Sequence, residues 1–130
     1  MRRFLFSVLA FCFACAGPRA QYSAFTLRFL NDIESLPSRD GAPLLDDSIR
    51  DKYLVRDYGE GDVVHAFLRL TSEPDPEKLD RLGVSLQSRT GDLATAVIPV
   101  RSLRNLGKVR GIAHIEISAP VHKRTGEASL

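Results

Sequence analysis

The chain has 130 residues, of which 44% are hydrophobic and 26% are charged, enough for one small domain. Its formal net charge is +2, and basic and acidic residues are interspersed along the sequence. Nucleic-acid binding requires a one-sided basic surface, so we expect no nucleic-acid partner.

The first twenty residues have the pattern of a secretory signal peptide. The basic pair Arg2-Arg3 precedes an apolar run, residues 4–16, that is too short to span a bilayer comfortably. Two cleavage points fit the small residues that follow, one after Ala16 and one after Ala20, although Pro18 is poorly placed for the second. We expect an exported protein, periplasmic or extracellular, without membrane association after signal cleavage.

Both cysteines, Cys12 and Cys15, lie in the signal. Lipidation of either is a rival interpretation, but phenylalanine occupies a position before each where a small residue is expected. Cleavage after Ala20 leaves 15 basic and 16 acidic side chains and no cysteine. An exported domain without disulfides depends on its apolar core, or on a partner, for stability.

The sequence of residues 21–62 predicts a leader, a segment with one helix that precedes the main domain. The stretch 23–30 alternates like a strand but also fits a helix that continues to Leu36. Turn-forming residues predict a loop over 37–41, and Leu45–Asp57 has apolar residues at helical spacing after an acidic start.

Residues 63–117 predict an α+β domain, a ferredoxin-like split βαβ unit (βαββαβ) with an antiparallel sheet and two helices on one face. The predicted elements, in order, are strand 63–70, helix 77–82, strands 84–89 and 93–98, helix 101–106 and strand 112–117. Residues 118–130 predict an extended or disordered tail.

Alternation along the strands predicts which side chains face the helices. In the first strand the inward residues are Val64, Ala66, Leu68 and Leu70, and the outward residues are Val63, His65, Phe67 and Arg69. In the second strand, Val84 and Leu86 are expected to face inward. In the last strand, the inward residues are expected to be Ala113, Ile115 and Ile117, and the outward residues Ile112, His114 and Glu116.

The sequence offers no catalytic motif, so we expect this chain not to be an enzyme. The predicted mature chain has no cysteine, and no serine lies in a Gly-x-Ser-x-Gly turn. The loop 71–75, after the first strand, is acidic where a phosphate-binding loop would need an arginine.

A metal site is also not expected, and no cofactor is predicted. His65 and His114 fit the same sheet face, but only Glu116 is available as a third ligand. Polar positions on a partly covered sheet face are the preferred interpretation.

The order and spacing of four segments carry a family resemblance. These are Leu79-x-x-Leu82-Gly83-Val84, the return 91–96 (GDLATA), Ile98-Pro99, and Gly111-Ile112-x-x-Ile115-Glu116. Over Leu45–Lys123 the chain resembles the N-terminal propeptide of bacterial subtilisin-family serine peptidases. The resemblance implies a ferredoxin-like prodomain that helps its peptidase fold and then inhibits it until cleaved.

The resemblance also implies two contact regions on the subtilisin-like catalytic domain. The peptidase-facing sheet would comprise Val63, His65, Phe67, Thr95, Val97, His114 and Glu116. The segment entering the active-site cleft would comprise Ser118, Ala119, Pro120, Val121, His122 and Lys123.

Because the sequence contains no catalytic domain, three interpretations of the chain remain open. The chain is either the N-terminal part of a truncated precursor, with its partner in cis, or a free-standing exported inhibitor acting in trans. An unrelated exported ferredoxin-like domain that oligomerises or binds a ligand through the same face is the third possibility.

Overall fold

The computed structural model describes residues 19–120. They form an α+β fold with a multi-strand sheet and several helices. The elements, in chain order, are β1 (Gln21–Tyr22), α1 (Ala24–Glu34), β2 (Ser38–Arg39), β3 (Ala42–Pro43), α2 (Asp47–Lys52), β4 (Arg56–Asp57), β5 (Asp62–Leu70), α3 (Pro76–Leu82), β6 (Ser85–Thr90), β7 (Leu93–Pro99), a 3₁₀ turn (Val100–Ser102), α4 (Leu103–Leu106) and β8 (Ile112–Ile117).

The main sheet has the strand order β1-β8-β5-β7-β6, and β4 pairs with the start of β5. The three pairings among β5, β6, β7 and β8 are all antiparallel. The sequence predicted a purely antiparallel sheet. At one edge, however, β1 pairs with β8 in parallel over two residues. Strands β2 and β3 form a separate hairpin.

One face of the sheet is buried beneath the helices. The inward residues predicted for β5 are all buried, and they join Leu103 and Leu106 of α4 in one hydrophobic cluster. Full burial of such an aliphatic side chain contributes about 1.5–3 kcal/mol, so this cluster is the main source of stability.

Helix α3 begins and ends where its sequence indicates. The Asp75 carboxylate accepts a hydrogen bond from the Glu77 N–H at 3.0 Å, and Pro76 occupies the first turn. Gly83 adopts the left-handed conformation, φ 73°, that ends the helix. The second predicted helix, 101–106, is instead a 3₁₀ turn followed by a single turn of α-helix.

Residues 21–62 contain two helices, where the sequence predicted one. The ambiguous stretch 23–30 lies in α1, because the Ser23 hydroxyl caps the first turn by accepting from the Thr26 N–H. Phe29 and Leu30 of α1 are buried in the same cluster as the strands. These residues therefore contribute to the main core.

The helix predicted for Leu45–Asp57 is shorter than expected. Helix α2 ends at Lys52, and Leu54 adopts a positive φ of 52°, which a right-handed helix excludes. The chain then enters β4, which pairs with Asp62 and Val63 of β5.

Leu86 pairs with the buried Ala96 and so lies on its predicted side of the sheet, but it is 37% exposed because β6 is an edge strand whose six residues are all exposed. In β8, Ala113, predicted to face inward, lines a depression with Phe67 on the opposite face, and Ile112 also lies opposite to its predicted side. Ile112 is buried and pairs with Leu70, because the register between β5 and β8 shifts after Arg69. This irregularity interrupts the alternation on which the prediction depended.

Thr26 joins α1 to the end of β8 through a buried hydrogen bond. Its hydroxyl oxygen accepts from the Ile117 N–H at 3.0 Å. Thr26→Val keeps the shape of the side chain but leaves that buried donor unpaired, and we expect it to lower the free energy of unfolding by about 2 kcal/mol. Thr26→Ser retains the hydroxyl and should cost less. In urea denaturation, a valine variant as stable as the serine variant would contradict the role of this bond.

A polar contact between α1 and α2 makes stability depend on pH. The Tyr53 phenol donates to the Asp32 carboxylate, and this bond, aided by Lys52, holds the pKa of Asp32 below its usual range. The stabilisation is therefore present above the unfolded-state pKa of Asp32 and is lost as the pH falls through its lower folded-state pKa.

Asp32→Asn should lower the free energy of unfolding at pH 7 by about 1 kcal/mol, an estimate reduced because the carboxylate is partly exposed. At pH 2 the variant and the wild type should have similar thermal midpoints. Asp51→Asn, on the exposed side of α2, is the control. An equal loss from Asp32→Asn at both pH values would contradict this assignment.

Candidate functional site

The sheet face opposite the helices is the candidate functional surface, and we call it the outer face. Cross-strand pairing places Phe67 between Thr95 of β7 and Glu116 of β8, and His65 beside Val97. The seven residues predicted for this surface all lie on it: Val63, His65 and Phe67 in β5, Thr95 and Val97 in β7, and His114 and Glu116 in β8.

The centre of the outer face is apolar. Phe67 lies on the central strand β5 and is 51% exposed. It lines a shallow depression of about 350 Å³ together with Leu93 and Ala113. Exposed aromatic and aliphatic groups in one depression are typical of surfaces that bind another molecule.

The polar groups around this depression include both basic and acidic side chains. His114 and Glu116 lie two residues apart on β8, with Nε2 and Oε2 separated by 3.9 Å. Arg69 lies opposite Leu93 on one side and His114 on the other. An apolar centre with a mixed polar rim is the usual composition of a protein interface.

Arg69 and Leu93 were absent from the predicted site, although both line the depression. The two-residue period of the strands already indicated them, since Arg69 follows Phe67 by two positions and Leu93 precedes Thr95 by two. A complete application of that period would have included both.

One end of the outer face is partly covered by the loop between β4 and β5. The Tyr58 hydroxyl is hydrogen-bonded to His65 Nε2 at 2.9 Å, and the two rings meet edge to face. Tyr58 remains exposed, so it extends the aromatic surface beyond the sheet.

The structure separates the two histidines that sequence reasoning considered together. His114 pairs with Arg69, and His65 lies four residues before Arg69 on β5, a distance of about 13 Å along the strand. Two ligands of one metal ion must lie much closer. Within residues 19–120, no group of three or more His, Cys, Asp or Glu side chains could hold a metal ion.

The segment after β8 leaves the sheet almost at once. The Ser118 N–H donates to the His65 carbonyl at 2.8 Å, which continues the antiparallel pairing by one residue. On the same edge of β5, β4 pairs with Val63 and Asp62. Ser118, Ala119 and Pro120 follow β8 without regular secondary structure, whereas Val121, His122 and Lys123 lie outside the described residues.

Comparisons with protein-family models, with curated proteins and with solved structures found no match. Among the residues that the structure describes, no helix has the length and apolar character needed to cross a bilayer. The features that bear on function are therefore the outer face, the segment that follows β8 and the resemblance in the sequence.

Proposed function

We propose that this protein is a propeptide-type inhibitor and folding assistant of a subtilisin-like serine peptidase, acting in cis or in trans. The observation that carries the proposal is the exposed outer face, with a half-exposed phenylalanine at its centre and polar groups around it. Under this proposal the chain binds a catalytic domain and performs no catalysis itself.

We also propose a ferredoxin-like topology for the domain. The strand order β8-β5-β7-β6, with α3 between β5 and β6 and α4 between β7 and β8, supports this assignment. The helices then cover the inner side of the sheet and leave the outer face available to the peptidase.

The size of the outer face indicates that a second contact is needed. Four strands spaced about 4.8 Å apart, over roughly 20 Å of strand, give an area of about 400 Å². A stable interface buries about 800 Å² on each partner, so the sheet provides only about half. We assign the remainder to the segment Ser118–Lys123, because an extended peptide of this length can add hydrogen bonds to a strand in the peptidase cleft.

The test measures peptide hydrolysis by a panel of secreted bacterial subtilisin-type peptidases in the presence of the purified mature protein. Inhibition of at least one peptidase is expected. Deletion of residues 119–130 keeps Ser118 paired with His65, so it should leave folding intact while weakening inhibition at least tenfold.

Full inhibition by the deletion variant would argue against cleft insertion. A stable oligomer in light scattering, together with no effect on any peptidase, would instead support the alternative of an oligomerisation or ligand-binding domain.

A further inference from the structure

We propose that the mature protein begins at Gly17, by signal-peptidase cleavage of the Ala16–Gly17 bond, and not at Gln21. Hydrolysis of that bond consumes one water, leaving a carboxylate on Ala16 and an amine on Gly17. The inference rests on the predicted export signal and is independent of the outer face.

Ala20 is part of the folded domain, which opposes cleavage after it. Its side chain is 7% exposed and belongs to the main hydrophobic cluster. Its N–H donates to the Gly107 carbonyl at 2.9 Å. Cleavage after Ala20 would remove both contacts and leave that carbonyl, on a buried residue, without this donor.

The residues next to Ala20 are fixed to the same part of the domain. The Tyr22 hydroxyl is within hydrogen-bonding distance of the Leu103 and Arg104 carbonyls, at 3.0 and 2.8 Å. A Cβ atom on Gly107 would clash with that hydroxyl, so the end of α4 and β1 are in close contact. Gln21 also pairs with His114 across the sheet edge.

A new amino terminus at Gln21 would introduce a positive charge beside these contacts. A terminus at Gly17 places the charge three residues before Ala20.

The sequence around the two bonds supports the same choice. Signal peptidase prefers small residues at the first and third positions before the cut. Ala14 and Ala16 satisfy both positions for the first bond, whereas Pro18 occupies the third position for the second.

The experiment expresses the full chain with a carboxy-terminal affinity tag in an exporting bacterial host. The exported protein is then analysed by intact mass and amino-terminal sequencing. We expect a single species that begins Gly-Pro-Arg-Ala. A terminus at Gln21, an acylated Cys12 or Cys15 at the terminus, or retention of Met1 would each overturn the proposal.

Two matched variants test the bond directly in pulse-labelled cells, where processing is observed before any loss of misfolded protein. Ala16→Phe should abolish the shift to the smaller species, because a large side chain cannot occupy the position before the cut. Ala20→Val should be processed as the wild type. Normal processing of Ala16→Phe, or a block in Ala20→Val, would contradict cleavage after Ala16, whatever the outcome of the inhibition assay.

Discussion

Phe67→Asp is expected to weaken inhibition of a subtilisin-type peptidase at least 100-fold, which corresponds to about 2.7 kcal/mol of binding free energy. Phe67 is on the central strand of the outer face, between Thr95 and Glu116. A buried aromatic side chain at the centre of an interface commonly contributes this much, and a carboxylate there would also lose its hydration. Because Phe67 is half-exposed in the free protein, the variant should fold.

Leu27→Asp is the matched control. Leu27 is 52% exposed, close to the 51% of Phe67, but it lies on α1 instead of the outer face. The same loss of an exposed apolar group and the same added charge should leave inhibition within about threefold of the wild type, as expected of a site outside the interface. Equal loss of inhibition in both variants would show that the outer face has no special role.

Phe29→Ala is expected to reduce the free energy of unfolding by about 3–5 kcal/mol. Phe29 is fully buried, and its ring packs against that of Tyr53 with centroids 4.7 Å apart. Small domains have only about 5–15 kcal/mol of stability in total, so this one substitution should remove a large part of it. Urea denaturation followed by circular dichroism measures the change.

The control for Phe29→Ala is Leu44→Ala, which truncates an exposed apolar residue in the same part of the chain. It should change stability by less than about 0.5 kcal/mol. If Phe29→Ala were equally mild, residues 21–62 would be a dispensable leader instead of a part of the core.

The strands and helix α3 were predictable because their signals are local. Alternation in β5, the Asp75 cap and the glycine after α3 all act within a few residues, and each has the expected structural effect. Alternation also predicted the outward positions of Val63, His65, Phe67, His114 and Glu116, whereas Thr95 and Val97 entered the site through the family resemblance. The same two-residue period extends to Arg69 and Leu93, which were omitted from the site.

The attachment of residues 21–62 was not predictable because it depends on contacts distant in sequence. The Thr26 hydroxyl bonds to the backbone of Ile117, and the Ala20 N–H to that of Gly107. Neither partner can be inferred from the residues beside it. The inward position of Ile112 was missed for a related reason. A shift in register between two strands does not change the hydrophobic period in the sequence of either strand.

Binding through the outer face can be observed most directly by NMR. The mature protein, labelled with ¹⁵N and with ¹³C in its methyl and aromatic groups, is titrated with a subtilisin-type peptidase that it inhibits, after the active-site serine has been blocked. We predict that the largest shift changes occur at Phe67, Leu93, Thr95 and Val97, with little change in α3 and α4. Changes confined to the helices would contradict binding of the peptidase through the outer face.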